Sequence, residues 1–177
     1  MKSLFIAALF FNVLAAQASA DSEAGEAFAT ASIELAGNWS GMLEYRDYQS
    51  GEIAQIPHER TISVPPDGSY MSTQLSFSDP GQRVYAAEIA TVTGDTVSMI
   101  YVRDRQMENQ TYTVTDFTNT DDGWTAVLEA DGYDAGSPAD IRIIIAEAGD
   151  RLTMEKQVRP NDVTSFEFRN RVVLRRQ

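Results

Sequence analysis

His58 and Arg60 stand two residues apart in a stretch, Gln55 to Val64, whose aliphatic residues Ile56, Ile62 and Val64 recur at even spacing. Side chains two apart on an extended strand share a face, so the imidazole and the guanidinium fall on the oily side of their segment. The same coincidence returns at Val97, Met99, Tyr101 and Arg103, and again at Leu152, Met154, Lys156 and Val158. Trp39, Gly41 and Leu43 share a further face with the phenol of Tyr45. An unpaired charge taken out of water costs several kcal/mol. Arg60, Arg103 and Lys156 must therefore pair with acids, reach a rim, or meet an anionic ligand. The third outcome describes an apolar cavity with a few basic and phenolic groups, and Tyr45, His58, Arg60, Met99, Tyr101, Arg103 and Lys156 are its candidate ligand-binding residues. Such a cavity suits a small hydrophobic or amphiphilic molecule, anionic and fatty-acid-like. The structural reading stands beside it. Arg60 and Arg103 lie near strand ends, where a shift of one residue turns a side chain to solvent, and Lys156 can satisfy Glu88.

Signatures of catalysis are sparse. With one histidine and no cysteine in 177 residues, a nucleophile-base pair has only His58 to serve it, and no G-x-S-x-G is present. G-x-G-x-x-G and Walker loops are missing too, and a multi-histidine metal site is impossible by arithmetic. The acidic loops at Asp121-Asp122 and Asp131 to Asp134 do not follow the EF-hand spacing and read as solvated turns. Glu88 is the single acid on a small, partly apolar face with Val84, Ala86 and Ala90, too little for paired-carboxylate hydrolysis. The sequence thus assigns no catalytic residue, no metal and no cofactor.

Composition narrows the setting. A formal net charge of −12 disfavours nucleic acid as a partner, although Arg169, Arg171, Arg175 and Arg176 make the end of the chain locally basic. Absence of cysteine excludes a disulfide scaffold, and 10% aromatic residues exclude a disordered chain. Residues 1–20 read as a signal peptide: Lys2, an apolar run from Leu4 to Ala16, and Ala18-Ser19-Ala20 as a cleavage site after Ala20. The expected location is the periplasm or the exterior, with no integral membrane insertion.

The elements that must position these side chains follow from periodicity. Asp21 to Ala36 predicts a short helix, capped by Asp21 or Ser22 and ended by Gly37. From there the pattern has period two, and residues 37–177 form one domain. Strands are predicted near Asn38 to Tyr48, Gln55 to Val64, Ser69 to Ser78, Arg83 to Thr93, Thr96 to Arg103 and Gln110 to Phe117. Four more fall near Trp124 to Ala130, Asp140 to Ala146, Arg151 to Val158 and Ser165 to Arg175. Separators such as Pro65-Pro66-Asp67-Gly68, Gly94-Asp95, Asp131-Gly132 and Gly149-Asp150 carry turn chemistry. Short links favour up-and-down neighbours, and closure hides every edge. The expected fold is all-β, an antiparallel up-and-down β-barrel of about 8–10 strands; a two-sheet sandwich is the alternative. An outer-membrane barrel fits poorly, because Arg142 sits among Ile141, Ile143 and Ile145 with the alternation of a water-facing wall.

Where the helical segment gives way to the first strand, Gly37-Asn38-Trp39-Ser40-Gly41 makes a G-x-W-x-G, which resembles the opening motif of lipocalins and related calycin barrels. Thr115-Asp116-Phe117 is similar to the T-D-Y of true lipocalins. Lipocalins proper add a C-terminal helix, whereas this chain ends on a strand-like run, so the chain looks like a lipocalin-like member of the wider calycin group. That resemblance implies a glycine that permits a tight start, a tryptophan that plugs one end, and a late basic side chain across its ring. Arg169 or Arg171 fits that place; the barrel-closing set is then Gly37, Trp39, Gly41 and Arg171. It also implies an interior Arg and Tyr that hold a ligand carboxylate. The motif is similar to that of haem-binding nitrobindin barrels as well, but their iron ligand is a late histidine and His58 lies in the second strand. A ligand-binding barrel is the leading expectation. A filled structural module and a lipocalin-like isomerase or cyclase are the alternatives.

Overall fold

The computed structural model describes residues 23–47, 50–79 and 81–177; the expected signal peptide and the capping residues Asp21 and Ser22 lie outside them. A helix, α1, occupies residues 23–32 and passes through a 3-10 turn at Ile33–Leu35 into the first strand. Ten strands follow: β1 (Gly37–Arg46), β2 (Ile53–Ser63), β3 (Met71–Asp79), β4 (Gln82–Thr93), β5 (Thr96–Arg103), β6 (Gln106–Thr120), β7 (Gly123–Asp134), β8 (Ser137–Ala148), β9 (Arg151–Pro160) and β10 (Glu167–Arg176). Each pairs antiparallel with its neighbour in sequence, and β10 returns to β1, so the sheet is a closed barrel. Closure removes the unpaired edges that a sandwich would leave. No described helix is long and apolar enough to cross a membrane.

Alternation builds the core. Trp124, Ala126 and Leu128 of β7, Ile141 and Ile145 of β8, and Val172 and Leu174 of β10 are buried, while their immediate neighbours are more exposed. Two hairpins depart from the predicted turns. Asp131-Gly132 is not a turn: β7 continues to Asp134, Gly132 lies against the Ile141 side chain, and the chain reverses at Ala135-Gly136, both with positive φ. The β5–β6 reversal falls at Asp104-Arg105, with φ of 53° and 65°, where no glycine announces it.

Helix α1 covers one end of the barrel. Phe28 meets Trp124 edge-on with ring centroids 6.0 Å apart, and Phe117 stacks on the same indole at 5.8 Å. Trp39, 1% exposed, donates its indole N–H to the Leu35 carbonyl at 2.8 Å. Gly37 leaves the 3-10 turn with φ of 141°, a backbone that other residues rarely adopt. At Gly41 a Cβ would collide with the carbonyl oxygen of Val173, so glycine lets β10 approach closely. The cation over Trp39 is Arg176, 4.2 Å from the ring centroid, and not Arg171. Register explains the correction. Trp39 pairs directly with Arg176, whereas Arg171 sits five residues away opposite Glu44, an odd interval that turns it to the other face of the sheet. There it pairs with Glu44 and Glu155.

A bulge in β10 between Phe168 and Asn170 changes the predicted facing of that strand. Phe166 precedes β10 and carries Arg142 and Arg159 over its ring at 3.9 and 4.6 Å, while Asn170 and Val172 border the interior.

Candidate functional site

The half of the barrel away from α1 contains a cavity of about 480 Å³. Beneath it lies a second space of about 40 Å³, lined chiefly by apolar residues including Phe28, Leu35, Ile62, Val97, Leu128 and Ile145. Arg60 from β2, Glu88 from β4, Met99 from β5 and Met154 from β9 border both spaces. These four side chains make the floor of the larger cavity.

Arg60 is set there by three contacts. Its Nη1 lies 3.4 Å from the Glu88 carboxylate and 3.3 Å from the Met154 sulfur, and its Nε donates to His58 Nε2 at 2.9 Å. His58 is fully buried, stacked on Phe77 at 4.7 Å, with Nδ1 3.0 Å from the Ser76 carbonyl. A guanidinium only donates and a carbonyl only accepts, so the ring proton belongs on Nδ1. Burial, and then the charge of Arg60, push the imidazole pKa down to about 3. His58 is therefore neutral at ordinary pH, and both of its nitrogens are committed. That leaves it unable to ligate iron or act as a base on a bound molecule, but able to aim Arg60.

The remaining predicted residues divide. Met99, Tyr101, Arg103 and Lys156 join Arg60 around the cavity, as parity on β2, β5 and β9 requires. His58 lies behind Arg60, and Tyr45, opposite Asn170 on the neighbouring strand, does not line the space. Lys156 does not meet Glu88. It lies 3.8 Å from Asp134, which also takes Arg169 at 3.1 Å, and Glu88 goes to Arg60 instead. Arg103 reaches the rim, where it meets Asp104 at 3.4 Å and is about half exposed.

Two parts of the site escape the sequence reading. Tyr112 faces the cavity from β6, and burial, reinforced by the negative charge of Glu88, pushes its phenol up to about 12, so it remains a proton donor. The alternation Gln110, Tyr112, Val114 was the available signal. The second lies beside the cavity: Asp134, which also takes Arg169, holds the lining Lys156, a contact that depends on the length of β7 and on the β10 bulge. Burial also raises the pKa of Tyr101, with Arg103 opposing. The arrangement offers a deep guanidinium, protonated phenols and thioether walls. Among the described residues no group of three or more His, Asp or Glu is placed to hold a metal ion.

No family model matches the chain, and no curated protein sequence matches it. Among solved structures, the crystal structure of Rv2717c from M. tuberculosis is similar, with a TM-score of 0.60 at 14% sequence identity. The alignment covers 84% of this chain and 96% of that one. At that identity the likeness carries the barrel fold alone.

Proposed function

We propose that this protein is a binding barrel for a small anionic amphiphile of fatty-acid type, held in the larger cavity with its negative head on Arg60. The observation that carries the reading is the guanidinium itself: 11% exposed, at the floor of a cavity whose volume falls within the usual range for ligand sites, and held from behind by a neutral imidazole. Among the described residues the hydrogen bonds of Arg60 run through Nε and Nη1, which leaves Nη2 as the donor this reading assigns to a ligand carboxylate. Tyr101 and Tyr112 supply further donors. Met99, Ile141, Ile143, Met154 and Val172 supply the apolar wall. The seating of Trp39 between Leu35 and Arg176, with Gly37 and Gly41 at either side, supports kinship with the calycin barrels. Residues 1–20 support export, and the ion pairs Arg142–Glu129 and Arg159–Asp140 on the outer wall support a water-facing exterior.

Titration with a fluorescent long-chain carboxylic acid tests the proposal. Arg60→Met should weaken binding at least tenfold, and the alcohol of the same chain should bind the wild type no better than it binds the variant. Equal affinity of the acid for both proteins, with the fold intact by circular dichroism, would refute the assigned role of Arg60.

A further inference from the structure

The outer wall of β4, β5 and β6 departs from the ion-paired surface seen elsewhere. Tyr85, Ala87 and Ile89 point outward along β4, alternating with Ala86, Glu88 and Ala90. Ile100 pairs with Ile89, Val102 pairs with Ala87, and Met107 of β6 pairs with Val102, so the six lie on one continuous face. Tyr85 and Met107 are 67% and 65% exposed, Ile89 47%, and Ile100 and Val102 39% each. None of the six carries a charge, in a chain of net charge −12. The exposed apolar area is on the order of 500 Å², near the upper end of what a monomer leaves in water.

We infer that this face docks a second copy of the same chain in a two-fold symmetric contact. A two-fold axis needs a single self-complementary patch, and this wall provides one. Pairing two such faces removes up to about 1,000 Å² from water, the lower limit for a biological contact and the size of a weak, reversible one. The border also suits a symmetric partner, because it carries both signs: Arg83 with Glu59 on one side, Asp104 and Arg105 at the β5–β6 turn. A cytoplasmic-type anionic bilayer is a poorer occupant, since the protein is strongly acidic and the one arginine that reaches the patch, Arg83 over the Tyr85 ring, is already paired with Glu59.

Sedimentation velocity of the purified protein over the micromolar range tests this. The expected result is a monomer–dimer equilibrium that tightens as salt rises from about 0.05 to about 0.5 M, because screening relieves repulsion between two acidic copies while the contact itself is apolar. Ile100→Lys should weaken association at least tenfold, with circular dichroism and melting temperature unchanged. Met107→Glu, on another strand, should do the same. A monomer at every concentration and salt would overturn the inference. So would a dimer indifferent to both substitutions, a dimer that loosens with salt, or a monomer that floats with phosphatidylcholine vesicles through this face.

Discussion

At the end covered by α1, Arg176 lies on the Trp39 ring and donates to the carbonyls of Ala36 and Glu34, both at 2.7 Å. At the mouth, Lys156 and Arg169 lean instead on one carboxylate, that of Asp134. Both ends place cations beside an oily interior, yet one holds its cation with backbone carbonyls and a buried aromatic face, and the other with a partly solvated carboxylate. The covered end is therefore a fixed plug. The mouth, held by partly solvated ion pairs, can exchange its partners, as the proposed entry of a ligand requires. Between them Arg60 borrows from each style, fixed by a neutral histidine on one side and by the Glu88 carboxylate on the other.

Paired substitutions at the two ends probe this contrast most strongly. Trp39→Ala should lower stability by about 3–5 kcal/mol, as removal of a fully buried indole does, and thermal unfolding followed by circular dichroism should show a fall of roughly 10 °C or more. Lys156→Ala should change stability by less than about 1 kcal/mol, because its pair with Asp134 is partly solvated. Equal losses would erase the distinction between plug and mouth.

The next effect concerns the middle layer. His58 has a folded pKa near 3 against an ordinary 6.5, so between those values the unfolded chain takes up the proton first. The stability this burial allows is complete above pH 6.5 and declines as pH falls toward 3, by up to about 1.4 kcal/mol per unit. His58→Gln should be less stable than the wild type at pH 7 but should lose the His58 part of the slope between pH 6.5 and 5, measured by urea midpoints. A slope unchanged by the substitution would assign the acid sensitivity to the carboxylates alone.

The smallest expected effect returns to the plug. Glu147 is 7% exposed, and burial, then the nearby Glu34, raise its pKa. A raised folded pKa means stability present at low pH and lost as pH climbs. Glu147→Gln should then raise the melting temperature by about 1–3 °C at pH 8 and leave it unchanged at pH 4. The same gain at both pH values would point to packing and away from charge.

Much of this architecture was legible in the residues. Period-two alternation located ten strands, and β5 coincides with its predicted span from Thr96 to Arg103. Parity on β2, β5 and β9 placed Arg60, Met99, Tyr101, Arg103 and Lys156 around one space. What the residues did not disclose depends on relations between strands. Arg176, rather than Arg171, meets Trp39 because of the β1–β10 register, which no local pattern encodes. A bulge near Phe168 breaks the parity rule without a glycine to mark it. Asp131-Gly132 carries turn residues in the middle of a strand because the glycine answers to Ile141 across the sheet, and local turn preference yields to that contact.

The floor shared by the two interior spaces consists of four side chains, with no backbone crossing between them. A partition of that kind can be lowered one rotamer or one substitution at a time while the surrounding hydrogen-bonded cylinder stays as it is. Depth is thereby separated from architecture: shortening Met99 or Met154 would deepen the larger space toward the smaller one, so that, on the proposed binding function, the length of ligand held is set by side chains of the floor and not by the number or tilt of the staves.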